Sequence, residues 1–315
     1  MRTLPLGNTG VEVSALCLGV LNFGSRDDEA TSYQLLDQYV EAGGSFIDTA
    51  NIYSHWVPGC SGGESEELLG RWLRDRGNRQ DLFIASKVGF EYPGVERGLR
   101  AATIEAECEK SLRRMGIETI DLYYAHVDDR NTPLEETMTA FDRLVRAGKV
   151  RFIGASNYLA WRLEQAHWVS KTNDLAAFCC LQQRYTYLRP NRNARFGSQE
   201  VATSAVLDYV ASRRHDFTLL AYSVLLSGAY TREDRPLPEQ YRSEDSEARL
   251  RVLREVAREV GATPNQVVLA WMLHSDPPVL PLIAVSTPEQ MVENLGALEV
   301  RLSAEQMDRL NQAGA

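Results

Sequence analysis

The feature that most constrains the fold is a regular alternation of short apolar segments with longer amphipathic ones. Eight short segments read as strands, at residues 15–18, 45–49, 82–87, 119–126, 150–156, 179–185, 217–222 and 279–285. The segments between and after them show helical periodicity, at residues 28–42, 65–75, 101–115, 134–147, 159–170, 201–213, 247–260 and 288–298. Unbroken repetition of strand and helix is typical of a parallel sheet covered by helices. Eight such units predict an α/β fold, the closed (β/α)8 TIM barrel.

Turn residues support these boundaries. Gly43-Gly44, Gly116 and Gly148 stand where helices should end, and Thr132-Pro133 stands where one should begin. Two further segments lie outside the eightfold pattern. Residues 2–14 predict an N-terminal β-hairpin around a Gly-Asn-Thr-Gly turn, which we expect to plug one end of the barrel. After the seventh strand, a polar segment at 227–246 precedes two helical segments, 247–260 and 264–274, where one would suffice.

Composition and charge limit the kinds of partner that the protein can have. The chain has 315 residues, of which 44% are hydrophobic, and neither a linker nor a low-complexity segment interrupts it, so we expect residues 1–315 to form a single domain. The net charge is −9 and no run rich in Lys or Arg occurs, which argues against a nucleic-acid partner. No window approaches the ~18 consecutive apolar residues of a membrane-spanning helix, so we expect no membrane partner.

The cysteines and the N-terminus bear on location. The chain has an odd number of cysteines without a Cys-x-x-Cys pair, at positions Cys17, Cys60, Cys108, Cys179 and Cys180. This pattern argues against a disulfide framework or a bound metal and favours a reducing compartment. The first ten residues lack the apolar core of a secretory signal. We therefore expect a cytoplasmic location.

The barrel prediction specifies where catalytic groups should lie, because active sites of such barrels form at the carboxyl ends of the strands. Three consecutive strand ends carry ionisable side chains, and these are Asp48 with Tyr53 on its loop, Lys87, and His126. A buried lysine needs a partner, which the Asp48 carboxylate can supply. A lysine beside a tyrosine stabilises the phenolate and is expected to lower the pKa of the phenol, which can then act as a general acid near neutral pH. A neutral histidine can orient a carbonyl group.

These four groups can protonate or polarise a carbonyl group, but they provide no electron pair, so they require a hydride donor. Each one also has a structural explanation. A lone histidine at a strand end is more often structural than catalytic, and a buried Lys–Asp pair often serves only stability. Their coincidence on adjacent strand ends of one barrel face favours catalysis.

The chain resembles the aldo-keto reductases over nearly its whole length, from Leu6 to Leu310. The motifs that carry the resemblance occur in the family's order, and they are LGNTGVEVSALCLG, FIDTANIY, GGESEELLG, ASKVG, SLRRMGIETIDLYYAH, GKVRFIGASNY, LQQRY, AYSVLLSG and STPEQMVENLGAL. The resemblance implies a catalytic tetrad of Asp48, Tyr53, Lys87 and His126. Tyr53 would be the acid in reduction and the base in oxidation, with Lys87 tuning it and His126 orienting the carbonyl.

The resemblance also implies a nicotinamide cofactor bound without a Rossmann turn. Ser156, Asn157 and Gln182 would hold the nicotinamide amide, and Tyr222 would stack on the ring. The remaining cofactor contacts would be Ser223 and Leu225 along the pyrophosphate and Ser286, Gln290 and Asn294 at the adenosine end. This chain departs from the family in reading Tyr-Ser-Val-Leu at 222–225, where Tyr-Ser-Pro-Leu is usual.

A second departure concerns the choice of cofactor. Many NADPH-preferring members place Arg or Lys near the adenosine 2′-phosphate, whereas the matching positions here are the uncharged Ala284, Ser286 and Gln290. A charge-assisted contact to phosphate would be stronger than a neutral one. Because the family mostly uses NADP, we expect NADP(H) to be preferred, with NAD(H) possible.

The substrate pocket should be walled by loops at the same end of the barrel. The expected contacts are Asn22, Trp56, Tyr92 and Asp128. Aromatic and polar groups together suit a sugar, a keto-sugar or an aromatic carbonyl compound. The expected function is NAD(P)H-dependent reduction of an aldehyde or ketone, reversible to alcohol oxidation. The sequence indicates neither the individual substrate nor the oligomeric state.

Two alternatives remain open at this point. A hydrolase on the same barrel could pair Asp48 with a second carboxylate such as Asp128, and it would need no nicotinamide. That reading leaves Lys87, Tyr53 and the Ser156-Asn157 pair unexplained. The other alternative is a cofactor-binding regulatory or partner-binding protein with little catalysis, which tight cofactor binding without turnover would support.

Overall fold

The computed structural model describes residues 1–314, which form a closed barrel of eight strands and a separate two-stranded hairpin. The hairpin strands are β1 (Thr3–Pro5) and β2 (Glu12–Ser14). The barrel strands are β3 (Cys17–Gly19), β4 (Phe46–Asp48), β5 (Phe83–Val88), β6 (Ile120–Ala125), β7 (Val150–Ser156), β8 (Phe178–Arg184), β9 (Thr218–Tyr222) and β10 (Val279–Ile283).

Each barrel strand pairs in parallel with the next one along the chain, and β10 closes the barrel against β3. Parallel pairing places the carboxyl ends of all eight strands at one mouth. The register sets neighbours there: Asp48 of β4 pairs with Ala85 of β5, and Lys87 of β5 pairs with Tyr124 of β6. The predicted (β/α)8 architecture is therefore confirmed.

Helices connect the strands and cover the barrel. They are α1 (Glu29–Glu41), α2 (Glu64–Arg76), α3 (Ala101–Met115), α4 (Leu134–Arg146), α5 (Ala160–Asn173), α6 (Ser204–Ser212), α7 (Glu244–Val260), α8 (Pro264–His274), α9 (Pro288–Gly296) and α10 (Ala304–Gln312). Local chemistry sets their ends. Helix α3 stops at Gly116, whose φ of 64° is left-handed, and α8 begins with a capping box between Thr263 and Gln266.

The core has two parts because each barrel strand has two buried faces. One apolar cluster lies between the strands and the surrounding helices, and it includes Trp72, Phe141 and Leu253. The other fills the barrel interior, with members such as Phe46 and Leu280. Strands buried on both faces read as continuous apolar runs, which is why they stand out in the sequence.

The hairpin packs on the barrel end opposite the mouth. Leu6 and Val13 are completely buried and belong to the interior cluster. The backbone N–H of Gly7 donates to the Thr218 hydroxyl at 2.7 Å, at the start of β9. A side chain at Gly7 would collide with the backbone carbonyls of Cys179 and Asp216. These contacts agree with the predicted plug.

The structure differs from the predicted elements late in the chain. The extra helices α7 and α8 are present, but α10 was not predicted, although Ser303 and Gln306 form a capping box at its start. The predicted helix at 201–213 begins only at Ser204. Val201 instead forms a bridge with Arg184 and so continues the loop after β8.

Candidate active site

Three neighbouring strands bring the four predicted catalytic residues together. Asp48 is the last residue of β4 and Lys87 lies near the end of β5. His126 follows β6 directly, and its backbone N–H donates to the carbonyl of Val88 at 2.8 Å. Tyr53 lies on the loop after β4. Adjacent strand ends at one mouth thus converge on one small volume.

Lys87 is the centre of this group. Its ammonium donates to the Asp48 carboxylate, to the carbonyl of Thr49 at 2.8 Å and to the phenol oxygen of Tyr53 at 2.7 Å. The side chains of Lys87 and Asp48 are completely buried. The amide of Gln182 donates to the second carboxylate oxygen of Asp48 at 2.8 Å. Every polar group of this buried pair therefore has a partner, as buried charges require.

The charge of Lys87 follows from these contacts. Burial alone would lower the pKa of the ammonium, but attraction from Asp48 and Tyr53, together with their hydrogen bonds, raises it above its usual value. Burial also raises the pKa of the Asp48 carboxyl, against the attraction of Lys87 and the bond from Gln182. Lys87 therefore remains a protonated donor beside Tyr53.

The proton stays on Tyr53 at neutral pH. Burial raises the pKa of its phenol to about 12, although attraction from Lys87 acts in the opposite direction. The expected effect of the lysine is thus present, but desolvation of the phenol outweighs it. This corrects the expectation of a lowered pKa, because a sequence shows the neighbouring charge but not the extent of burial. A protonated phenol is the form that can donate.

His126 is neutral in this environment. Burial and the nearby charge of Lys87 lower the pKa of the imidazole well below its usual value. The ring packs at 4.7 Å from the ring of Phe90 and 6.1 Å from that of Tyr53, measured between centroids. Within residues 1–314, the Nδ1 atom has no hydrogen-bond partner. A neutral imidazole carries one N–H, so His126 can donate to a carbonyl oxygen near Tyr53.

A large cavity of about 1050 Å³ opens at this mouth. Tyr53 and His126 line it, whereas Asp48 and Lys87 lie beneath its surface. All nine residues predicted to bind the cofactor line the same cavity, and they are Ser156, Asn157, Gln182, Tyr222, Ser223, Leu225, Ser286, Gln290 and Asn294. The substrate candidates Asn22 and Trp56 also line it. The nine cofactor candidates therefore surround the same cavity as Tyr53 and His126, with Asp48 and Lys87 directly beneath it.

Asn157 and Tyr222 form a fixed polar edge of the cavity. The Tyr222 hydroxyl donates to Asn157 Oδ1 at 2.7 Å, and the Asn157 amide donates to the carbonyl of His126 at 2.9 Å. The ends of β6, β7 and β9 are thereby connected. Burial raises the pKa of Tyr222 above its ordinary value, so the hydroxyl remains a donor.

Backbone strain concentrates around the cavity. Five non-glycine residues on the mouth loops adopt positive φ, between 49° and 81°, and they are Ser54, Asn157, Ser223, Leu226 and Ser227. Such conformations cost of order 1 kcal/mol or more each and tend to cluster at functional sites. Four of them line the cavity, and Ser54 follows Tyr53 directly. The loops are thus held in shapes that the local sequence does not favour.

Two predicted substrate contacts lie elsewhere. The Tyr92 hydroxyl donates to the buried carboxylate of Glu107 at 2.6 Å, and Tyr92 does not line the cavity. Asp128 pairs with Arg162 at 3.0 Å and likewise lies outside the cavity lining. Both residues follow strand ends as expected, but their side chains turn towards charged partners on neighbouring segments. Asp128 therefore does not supply the second carboxylate of the hydrolase alternative.

Several residues of the cavity lining were not predicted. They are Arg26, Phe90, Arg184, Phe196, Asn265 and Glu293 among others. Arg26 and Phe90 follow strand ends and Arg184 is the last residue of β8, so the barrel rule could have identified them. Phe196 and Asn265 lie far from any strand end, on a long loop and on the first turn of α8. No local signal in the sequence marks those two.

Residues 1–314 contain neither a candidate metal site nor a helix suited to span a membrane. No group of three or more His, Cys, Asp or Glu side chains in that range is arranged to hold a metal ion. None of the helices described combines the length and the apolar character needed to cross a bilayer.

The chain is similar to known proteins over nearly its whole length. The model of the Aldo/keto reductase family matches residues 15–315. The Bacillus subtilis protein named uncharacterized oxidoreductase YrpG is 33% identical, with 97% of this chain and 94% of that protein aligned. Norsolorinic acid reductase stcV of Emericella nidulans is 32% identical, over 95% of this chain and 77% of its own length. Aldo-keto reductase yakc of Schizosaccharomyces pombe, whose name specifies NADP(+), is 28% identical over 99% and 91% of the two chains. The chain belongs to the Aldo/keto reductase family.

Proposed function

We propose that this protein reduces an aldehyde or ketone to the alcohol with NAD(P)H, and that the reaction is reversible. The observation that carries the proposal is the contact of the Lys87 ammonium with the Tyr53 hydroxyl at 2.7 Å, at the mouth of a cavity that His126 also lines. A proton donor and a second hydrogen-bond donor thus face the same space. Carbonyl reduction needs both.

The cavity fits a nicotinamide dinucleotide. Its volume of about 1050 Å³ lies at the upper end of the range for small-molecule and cofactor sites. Amide groups of Asn157 and Gln182 lie near the catalytic end, where an amide-bearing ring could be recognised. The helix α9, which begins at Pro288, borders the other end. When bound, the cofactor would supply the hydride, which no side chain of this site can provide.

Tyr53 supplies the proton in the reduction. Its phenol is protonated at neutral pH because burial raises the pKa to about 12. Lys87 stabilises the phenolate that remains after proton transfer, and the Asp48 carboxylate holds Lys87 in place. In the reverse direction the same phenolate, held by Lys87, accepts the proton of the alcohol. Tyr53 therefore acts as the general acid or base according to direction.

His126 orients the substrate. A neutral imidazole donates one N–H to the carbonyl oxygen without competing for the proton of Tyr53. Phe90 packs against the ring of His126 at 4.7 Å and restricts its orientation. Donors held in place before the reaction stabilise charge that develops on the oxygen.

The walls of the cavity suit an aromatic or a polar cyclic substrate. Trp56 lies on the Tyr53 loop, 6.2 Å from the Tyr53 ring and 43% exposed, and Phe90 and Phe196 contribute further aromatic surface. Three related fungal proteins are named norsolorinic acid reductases. An aromatic carbonyl compound is therefore the first substrate class to test, followed by sugars and keto-sugars.

Cofactor preference and location are part of the same proposal. We propose NADP(H) as the preferred cofactor, with NAD(H) possible, and the name of the Schizosaccharomyces pombe relative supports this order. The five cysteines are free thiols, which supports a cytoplasmic location.

The decisive experiment compares Tyr53→Phe with the wild-type protein. Fluorescence titrations with NADPH and NADH measure binding, and turnover is measured with a panel of aromatic aldehydes, ketones and keto-sugars. We expect Tyr53→Phe to bind the nucleotide nearly as well and to lose at least about 10²-fold in kcat. Tyr158→Phe is the matched control, because the Tyr158 hydroxyl is buried, does not line the cavity and has no partner within residues 1–314. Unimpaired turnover in Tyr53→Phe would refute the mechanism.

A further inference from the structure

The loop after β3 touches the start of α9 at one point of the cavity wall. The hydroxyl of Ser286 donates to the carboxylate of Asp27 at 3.2 Å. Asp27 is only 9% exposed, whereas Ser286 lines the cavity. Backbone bonds fix the loop, since the N–H of Asp27 donates to the carbonyl of Asn22 at 3.0 Å. A carboxylate therefore stands directly behind one of the residues expected at the adenosine end.

The donors that a phosphate would need at this position already have partners within the protein. The backbone N–H of Ser286 donates to the side-chain oxygen of Gln290 at 2.9 Å. The backbone N–H of Gln290 donates to the Thr287 hydroxyl, which caps α9, at 3.3 Å. Together with the Ser286 hydroxyl, three donors at the helix start are thus occupied. A phosphate would have to displace these bonds and approach Asp27.

A neighbouring cation only partly offsets this carboxylate. Arg26 also lines the cavity and makes no hydrogen bond or ion pair within residues 1–314. Its side chain is exposed, so water and salt screen its charge. The carboxylate of Asp27 is buried and contacts Ser286, so its field at that position is screened less. Burial raises the pKa of Asp27, while the bond from Ser286 and the charge of Arg26 favour the ionised form.

We propose that Asp27 is a selectivity residue that weakens binding of the 2′-phosphate of NADPH relative to the 2′-hydroxyl of NADH. This inference rests on the proposed function and on the family resemblance, which implies that the adenosine end of the cofactor lies at Ser286, Gln290 and Asn294. A ribose hydroxyl can donate to the Asp27 carboxylate or to the oxygen of Ser286. A phosphate monoester carries between one and two negative charges at neutral pH and can only accept. The effect concerns the ratio of the two affinities, whichever nucleotide binds more tightly.

The test is Asp27→Asn, which removes the charge and keeps an oxygen that can accept from Ser286. Dissociation constants for NADPH and NADH are measured by fluorescence titration at pH 8, where the carboxylate and the phosphate are both ionised. We expect the affinity for NADPH relative to NADH to rise about tenfold. The repulsion between two like charges a few ångströms apart near a surface is large enough to change an affinity by at least that factor. Asp27→Ser provides a second variant if Asp27→Asn folds poorly by circular dichroism.

Asp28→Asn is the matched control. Asp28 carries the same charge one residue later, is exposed and caps α1 by accepting from the N–H of Thr31, a role that asparagine retains. We expect its affinity ratio to equal that of the wild type. An unchanged ratio in Asp27→Asn, or an equal change in Asp28→Asn, would overturn the inference and leave the proposed function intact. If the wild-type protein binds neither nucleotide, the proposed function fails and this inference fails with it.

Discussion

The ammonium of Lys87 lies 2.7 Å from the hydroxyl of Tyr53, and its other partners are the Asp48 carboxylate and a backbone carbonyl. A buried ion pair adds little net stability, because the cost of removing both charges from water offsets their attraction. The Asp48–Lys87 pair is therefore better explained by its effect on Tyr53 than by stability. The pair holds the positive charge of Lys87 beside the phenol of Tyr53.

Replacing Lys87 by Met should separate the effect of Lys87 on Tyr53 from its effect on the stability of the fold. The variant removes the charge that stabilises the Tyr53 phenolate, so we expect kcat to fall by at least about 10²-fold in both directions. It also leaves Asp48 buried with only the amide of Gln182 as a hydrogen-bond donor, so the free energy of unfolding should fall by about 3–5 kcal/mol. Steady-state kinetics and urea unfolding measure the two effects.

A double variant provides the control for this prediction. Adding Asp48→Asn to Lys87→Met removes the uncompensated charge, so most of the lost unfolding free energy should return. Turnover should stay low, because the phenol of Tyr53 still lacks its cation. Recovery of turnover together with stability would mean that Lys87 acts only by holding the fold.

The neutral state of His126 predicts an acid-sensitive fold. Burial and Lys87 lower the pKa of His126 in the folded protein, whereas an unfolded histidine titrates near 6.5. The unfolded chain therefore binds the extra proton first, and stability falls as the pH drops below about 6.5. Each pH unit below that value should cost up to about 1.4 kcal/mol. Urea unfolding between pH 5 and 8 measures this slope.

Two variants test the assignment of that slope. His126→Gln cannot titrate in this range and should lose the contribution of His126 to the pH dependence. His215→Gln, at an exposed histidine, controls for the general loss of an imidazole ring. An identical slope in the wild type and in His126→Gln would show that folding leaves the pKa of His126 unchanged, which would contradict the effect of burial and Lys87.

The sequence was sufficient to predict the barrel and the convergence of the catalytic candidates, for one physical reason. Parallel strands buried on both faces leave long apolar runs, so the first polar residue after each run marks the mouth. Asp48 and His126 are such residues, Lys87 follows Ser86 near the end of another run, and the structure brings the three together. Helix α10 was missed because its segment belongs to no strand–helix unit, although its capping box at Ser303 could have indicated it.

The directions and surroundings of individual side chains were harder to predict. Position after a strand end does not determine whether a side chain faces the cavity, and Tyr92 and Asp128 turn instead towards Glu107 and Arg162. The charge of Lys87 was visible in the sequence, but the burial that raises the pKa of Tyr53 was not. The contact between Asp27 and Ser286 joins residues 259 positions apart and has no local signal.

The contact between Tyr92 and Glu107 predicts a structural and not a substrate-binding role for Tyr92. Glu107 is 2% exposed and also accepts from the amide of Asn51, on the loop that leads to Tyr53, at 2.7 Å. Tyr92→Phe removes one donor from this buried carboxylate, so the free energy of unfolding should fall by about 1–3 kcal/mol. The KM for the carbonyl substrate should change less than twofold, because Tyr92 does not line the cavity.

Trp56→Ala, which truncates a cavity-lining side chain, should instead raise KM with little effect on stability. A large rise of KM in Tyr92→Phe without loss of stability would restore Tyr92 as a substrate contact.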